Sequence, residues 1–99
     1  MTAQDPEAVL AQLSERAARR NRQRADRLAW LCADLEPGTP DEIWAEGTEL
    51  AHQIAGSTGT FGNMAASDRA RELLEALRAR DRAAVPELMG ALEAALDQA

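Results

Sequence analysis

The chain contains no lysine and no tyrosine, and it has one cysteine and one histidine in 99 residues. Each shortage removes a class of function. A lone cysteine, Cys32, excludes an internal disulfide framework. One histidine and one cysteine cannot complete a usual metal site, so no metal is expected. A Ser-His-Asp or Cys-His arrangement would have to use His52, and nothing marks Ser57 or Cys32 as its nucleophile. No Gly-Lys-Ser/Thr sequence is present, so no nucleotide cradle and no self-phosphorylation from ATP are expected. The longest apolar run, Leu28 to Ala33, falls far short of the roughly 18 residues of a membrane span. Asp5 and Glu7 stand where a secretory leader would be basic and then apolar. The expected location is therefore the cytoplasm, with no membrane contact. Basic charge is in deficit: the formal net charge is −6, which argues against general nucleic-acid binding.

What the chain does hold is helical. Alanine, leucine, glutamate and arginine dominate, period-2 runs are absent and β-branched residues are few. A chain of this size makes one domain, residues 1–99, and buries about 65% of its unfolded surface. Residues 1–5 read as a frayed start. Asp5-Pro6-Glu7 is a helix opening, with Asp5 as cap and Pro6 in the first position. Helical periodicity then covers residues 6–35, with Leu10, Leu13, Ala17, Asn21, Leu28, Leu31, Cys32 and Leu35 on one face. Cys32 reads there as a small buried hydrophobe. Arg24 falls in the centre of that apolar arc and Arg20 at its edge. Two outcomes are open. The segment kinks near Arg20 to Gln23, or it runs on and overhangs, leaving Val9, Leu10, Leu13 and Ala17 for another chain. The arginines between Arg16 and Arg27 read as a solvated polar face, or as an attraction for acidic partners.

Glu36-Pro37-Gly38-Thr39-Pro40 is a loop. A second helix spans residues 40–58, with Thr39 favoured as its cap and Trp44 on the flank of its apolar arc. Gly62 suits a left-handed helix ending. Asn63 caps a third helix, residues 63–79, with Ala66, Ala70, Leu73, Leu74 and Leu77 inward. A fourth covers residues 82–97 with Val85, Leu88, Leu92 and Leu96 inward; Pro86 calls for local distortion or a later start.

The second helix carries His52, within A-H-Q-I-A-G-S-T-G-T-F-G. At about 100° per residue, Ile43, Gly47, Leu50 and Ile54 share one arc, and His52 lies about 180° from Ile43 and about 160° from Ile54. If that arc is buried, the imidazole faces water. Its neighbours on the same face are Thr48, Glu49, Ala55 and Gly56, with Gly59 one turn further. Past His52 no large side chain stands on that face. Either this is an ordinary surface histidine before a turn, or another protein must come close to it.

The stretch resembles the signature of histidine-containing phosphotransfer (HPt) domains, H-x-[apolar]-K-G-[small]-[small]-x-x-[apolar]-G. His52, Ile54, Gly56, Ser57, Thr58, Phe61 and Gly62 fill it in register. Ala55 stands where the family usually has lysine, and Arg69 where an apolar residue is common. The resemblance continues through Ala70, Leu73 and Leu77 and spans about 50 residues. It implies an all-α, antiparallel four-helix bundle with an additional N-terminal helical segment, and it favours the kink. It implies a phosphoryl carrier, not a kinase, with His52 phosphorylated and Thr48, Glu49, Ala55, Gly56 and Gly59 as the docking and supporting face. Glu49 either holds one ring N–H and turns the other nitrogen outward, or is a plain surface acid. A nearby arginine replaces the missing lysine, or its help is lost; the positive helix end near Asn63 is a further source of charge. The implied partners are response-regulator receiver domains, which bring Mg²⁺ and the acceptor carboxylate, and a hybrid sensor histidine kinase. Alternatives are a module of the same fold that docks a receiver or kinase without carrying phosphate, and a helical dimerisation piece. The chain is expected to be a monomer, or a dimer through its N-terminal segment.

Overall fold

The computed structural model describes residues 5–98. Of the expected frayed start, only Asp5 lies among them. The described residues form four α-helices in the order α1 (Pro6–Cys32), α2 (Asp41–Thr60), α3 (Met64–Arg78) and α4 (Val85–Asp97), with no strand. They build an all-α bundle in which successive helices run antiparallel. α2 packs against both α1 and α3, and α4 against α3 with a lighter contact to α1.

Asp5 caps α1, its carboxylate accepting from the Glu7 N–H at 3.1 Å, and Pro6 takes the first turn. The helix then runs unbroken through residues 20–23. The kink favoured by the resemblance does not occur, and the additional N-terminal segment is the first half of α1 itself. The physical reason lies in how the polar residues of the arc are satisfied. Asn21 is buried and its Nδ2 donates to Ser57 Oγ on α2 at 3.0 Å, while Arg24 Nη1 donates to Asn21 Oδ1 at 2.9 Å. Arg20 simply faces solvent. The overhang is real but shorter than the arc suggested: Leu10 and Leu13 are 57% and 45% exposed, whereas Ala17 is already buried.

The loop departs from expectation in two places. α1 stops at Cys32 rather than residue 35, and Leu35 folds back, half-buried, onto the core. Thr39 does not cap α2. Its hydroxyl accepts the Glu36 N–H at 2.8 Å inside the Pro37-Gly38 turn, and Pro40 occupies the cap position with no side-chain bond to the helix.

The remaining connections are tight. Gly62 adopts a φ of +86°, the left-handed conformation expected of it. Asn63 Oδ1 accepts the Ala66 N–H at 3.1 Å, capping α3, while its Nδ2 donates to the Ala95 carbonyl of α4 at 3.3 Å. The fourth helix starts at Val85, later than residue 82. That places Pro86 in the first turn, where the missing N–H costs no helical bond. The core is centred on Leu28, Ile54, Leu73, Leu77 and Leu92, all with at most 2% exposure. Trp44, on the flank of the arc read from the sequence, is buried, with the Arg80 guanidinium 5.5 Å from its ring centroid. None of the described helices is long and apolar enough to cross a membrane.

Candidate functional site

His52 stands exposed near the middle of α2. It opens onto a shallow groove of about 520 Å³ between α2 and α3. Ala55 and Gly56 line the groove from α2, and Arg71, Leu74, Glu75 and Arg78 line it from α3. Gly56 is exposed, and a Cβ there would meet nothing within 4 Å. The wall beside the imidazole is thus bare on its C-terminal side.

The other residues of the expected face divide. Thr48 is half-buried and its hydroxyl donates to the Trp44 carbonyl at 2.7 Å, so it stitches the helix to itself. Glu49 is exposed and its Oε1 accepts from Gln53 Nε2 at 3.2 Å, the arrangement of a surface acid. Ala55 is buried, at 5% exposure, not on the open face. Gly59 is also drawn inward, since a Cβ there would lie 3.2 Å from Ser67 Oγ. The cause is the same for both. The arc Ile43-Gly47-Leu50-Ile54 accounts for only one partner helix, but α2 is covered on a second side by α3, which widens the buried arc to Trp44, Ala51, Ala55 and Thr58. Ala55 lies only about 40° from the fully buried Ala51 around the helix. Its carbonyl receives the Ser67 hydroxyl at 2.9 Å.

The α3 N-terminus does not reach the imidazole. α2 rises about 12 Å from His52 to its end at Thr60, and the cap of α3 at Asn63 lies beyond that. Positive charge near His52 comes instead from the side of α3, through Arg71 and Arg78. Sequence reasoning missed both, because the register of two helices cannot be read from one chain. The available signal was their seven-residue spacing, which puts them on one stripe of α3. Among the described residues, no group of three or more His, Cys, Asp or Glu side chains is arranged to hold a metal ion.

A model of the Hpt domain family matches residues 8–99. The chain belongs to the Hpt domain family. Hpt domains are phosphoryl carriers of two-component phosphorelays and interact there with receiver domains and kinases, so this membership joins the bundle, the exposed imidazole and the bare groove in one context. No curated protein and no solved structure matches the chain closely enough to add a named relative. Within the Hpt pattern, Ala55 remains the departure, and the structure puts it in the floor of the groove beside His52.

Proposed function

We propose that the protein carries a phosphoryl group on His52, accepting it from the aspartyl phosphate of one receiver domain and passing it to the aspartate of another. The observation that carries this reading is the setting of the imidazole. It is the one histidine of the chain, it is exposed, and Gly56 beside it leaves open space. In the forward step a ring nitrogen attacks phosphorus, an N–P bond forms, the acyl phosphate P–O bond breaks, and its electron pair leaves with the receiver carboxylate. The onward step is the reverse on a second receiver. Neither step needs a nucleotide. Catalysis of phosphoryl transfer is mainly positioning and charge neutralisation, and the receiver supplies its Mg²⁺. An imidazole suits the role because its neutral form offers one unprotonated ring nitrogen as a nucleophile.

Ala55 supports a second reading, a module that docks a receiver or kinase and carries no phosphate, the lysine of the family pattern having been lost. One experiment separates the two. The protein is incubated with a phosphorylated receiver and Mg²⁺, and acid-labile, base-stable phosphate is measured. The carrier acquires label and His52→Gln does not. Binding without label would establish the docking module, and equal label on His52→Gln would place the phosphate elsewhere.

A further inference from the structure

The groove holds an answer to the missing lysine. Building on the carrier reading of His52, we propose that Arg71 is the residue whose charge receives the phosphoryl group there, taking over from α3 the part that position 55 plays in the Hpt pattern.

The helix register singles out Arg71. α2 and α3 are antiparallel, and their register is fixed at two points: the Ala55 carbonyl takes the Ser67 hydroxyl at 2.9 Å, and a Cβ on Gly47 would lie 3.7 Å from a Leu77 methyl; just past the end of α3, Arg80 pairs with Asp41 at 2.9 Å in the same register. His52 lies three residues before Ala55. Arg71 lies four residues after Ser67. In an antiparallel pair both steps go one turn in the same direction, so Arg71 comes level with His52, and the two line the same groove. Arg78 lines it as well, but seven residues on, about 10 Å further along the helix.

Arg71 is also uncommitted. Its Nη1 sits 3.6 Å from Asp68 in an exposed i,i+3 pair, long for a hydrogen bond and of little weight against solvent and salt. A phosphoryl group on histidine brings negative charge and several acceptor oxygens, which a guanidinium's planar fork of donors binds well. The side chain can leave Asp68 for that stronger partner without disturbing the core, because Arg71 is exposed. The neighbouring Glu75 is held by Arg78 at 3.2 Å, which offsets its repulsion of the incoming charge.

The test uses phosphoramidate, a small donor that needs no docking surface. A ring nitrogen of His52 attacks its phosphorus, the P–N bond breaks, and nitrogen leaves as ammonia with the protons it carries. Labelling rate and the lifetime of the phosphohistidine are followed by phosphorus NMR. Arg71→Gln is expected to slow labelling on the order of tenfold, the scale of losing one charge-assisted contact in the transition state. Arg71→Lys should keep most of the rate, Arg78→Gln should slow labelling less than Arg71→Gln does, Arg20→Gln on the solvent face of α1 should change it less than about twofold, and Ala55→Lys placed in the Arg71→Gln protein should restore it. Circular dichroism checks that each variant is folded. Equal rates for Arg71→Gln and the parent, or a larger effect from Arg78→Gln, would overturn the assignment to Arg71 and leave the carrier reading standing. Absence of label on the folded parent would overturn both.

Discussion

Gly59 and Ser67 meet across the α2–α3 interface: a Cβ on Gly59 would lie 3.2 Å from Ser67 Oγ, whereas one on Gly56 would meet nothing within 4 Å. The two glycines that look equivalent along the sequence therefore do different work. Gly59 permits two helices to approach, and Gly56 leaves a surface open.

Alanine substitutions will separate these roles. Gly56→Ala gains helix propensity with no steric cost and should stabilise the fold by about 0.5–1 kcal/mol. Gly59→Ala has the same gain, but Ser67 is fully buried and holds the Ala55 carbonyl, so its hydroxyl must give way. Thermal melts should place Gly59→Ala clearly below Gly56→Ala. The reverse order would show that Ser67 yields without cost.

A bulky residue at position 56 tests docking. On the proposed function a receiver docks on the surface around His52, and transient interfaces of this kind are small, about 1,200 Å² or less. Gly56→Gln fills the open side of the groove. It is expected to slow transfer from a phosphorylated receiver at least about tenfold, since a misplaced reacting group is costly, while labelling by phosphoramidate and the melting temperature stay close to the parent's. Unchanged transfer would mean that the receiver approaches from another side. Gly59→Gln is the poorer variant, because it strains the interface behind the site.

Cys32 gives a pH-dependent signature. Burial pushes its thiol up from an ordinary value of 9.0 to about 11. Between these values the unfolded chain loses its thiol proton and the folded chain keeps it, so stability is fully present below pH 9 and declines as pH rises towards about 11. At pH 8 a disulfide reagent should label the native thiol far more slowly than the same thiol in denaturant. Cys32→Ala should remove the alkaline decline measured by denaturant titration. Persistence of the full decline in that variant would assign it to other groups.

The helices were legible because their signals are local. Asp5, Pro6 and Asn63 act at the helix ends where the sequence puts them, Gly62 takes its left-handed φ, and Ala66, Ala70, Leu73, Leu74 and Leu77 are all buried. What a single arc could not reveal was how many partners a helix has. α2 has one on each side, which is why Ala55 and Gly59 turned inward while His52 stayed out. Nor could the sequence disclose that Asn21, Arg24 and Ser57 form a chain of hydrogen bonds, which lets α1 run straight past the polar positions that suggested a kink. Thr39 illustrates a third limit: a hydroxyl before a helix has two backbone amides within reach, and here the turn behind it won.

The groove beside His52 is made only from residues between 52 and 78, on two consecutive helices joined at Gly62. Closing so short a loop costs little chain entropy, and contacts between sequence neighbours are the ones that form fastest. The groove is therefore expected to assemble no later than the packing of the far end of α1. Pulsed hydrogen exchange should protect the amides of α2 and α3 no later than those of α1. Fraying of the projecting first turns of α1, where Leu10 and Leu13 lie exposed, then leaves the groove in place.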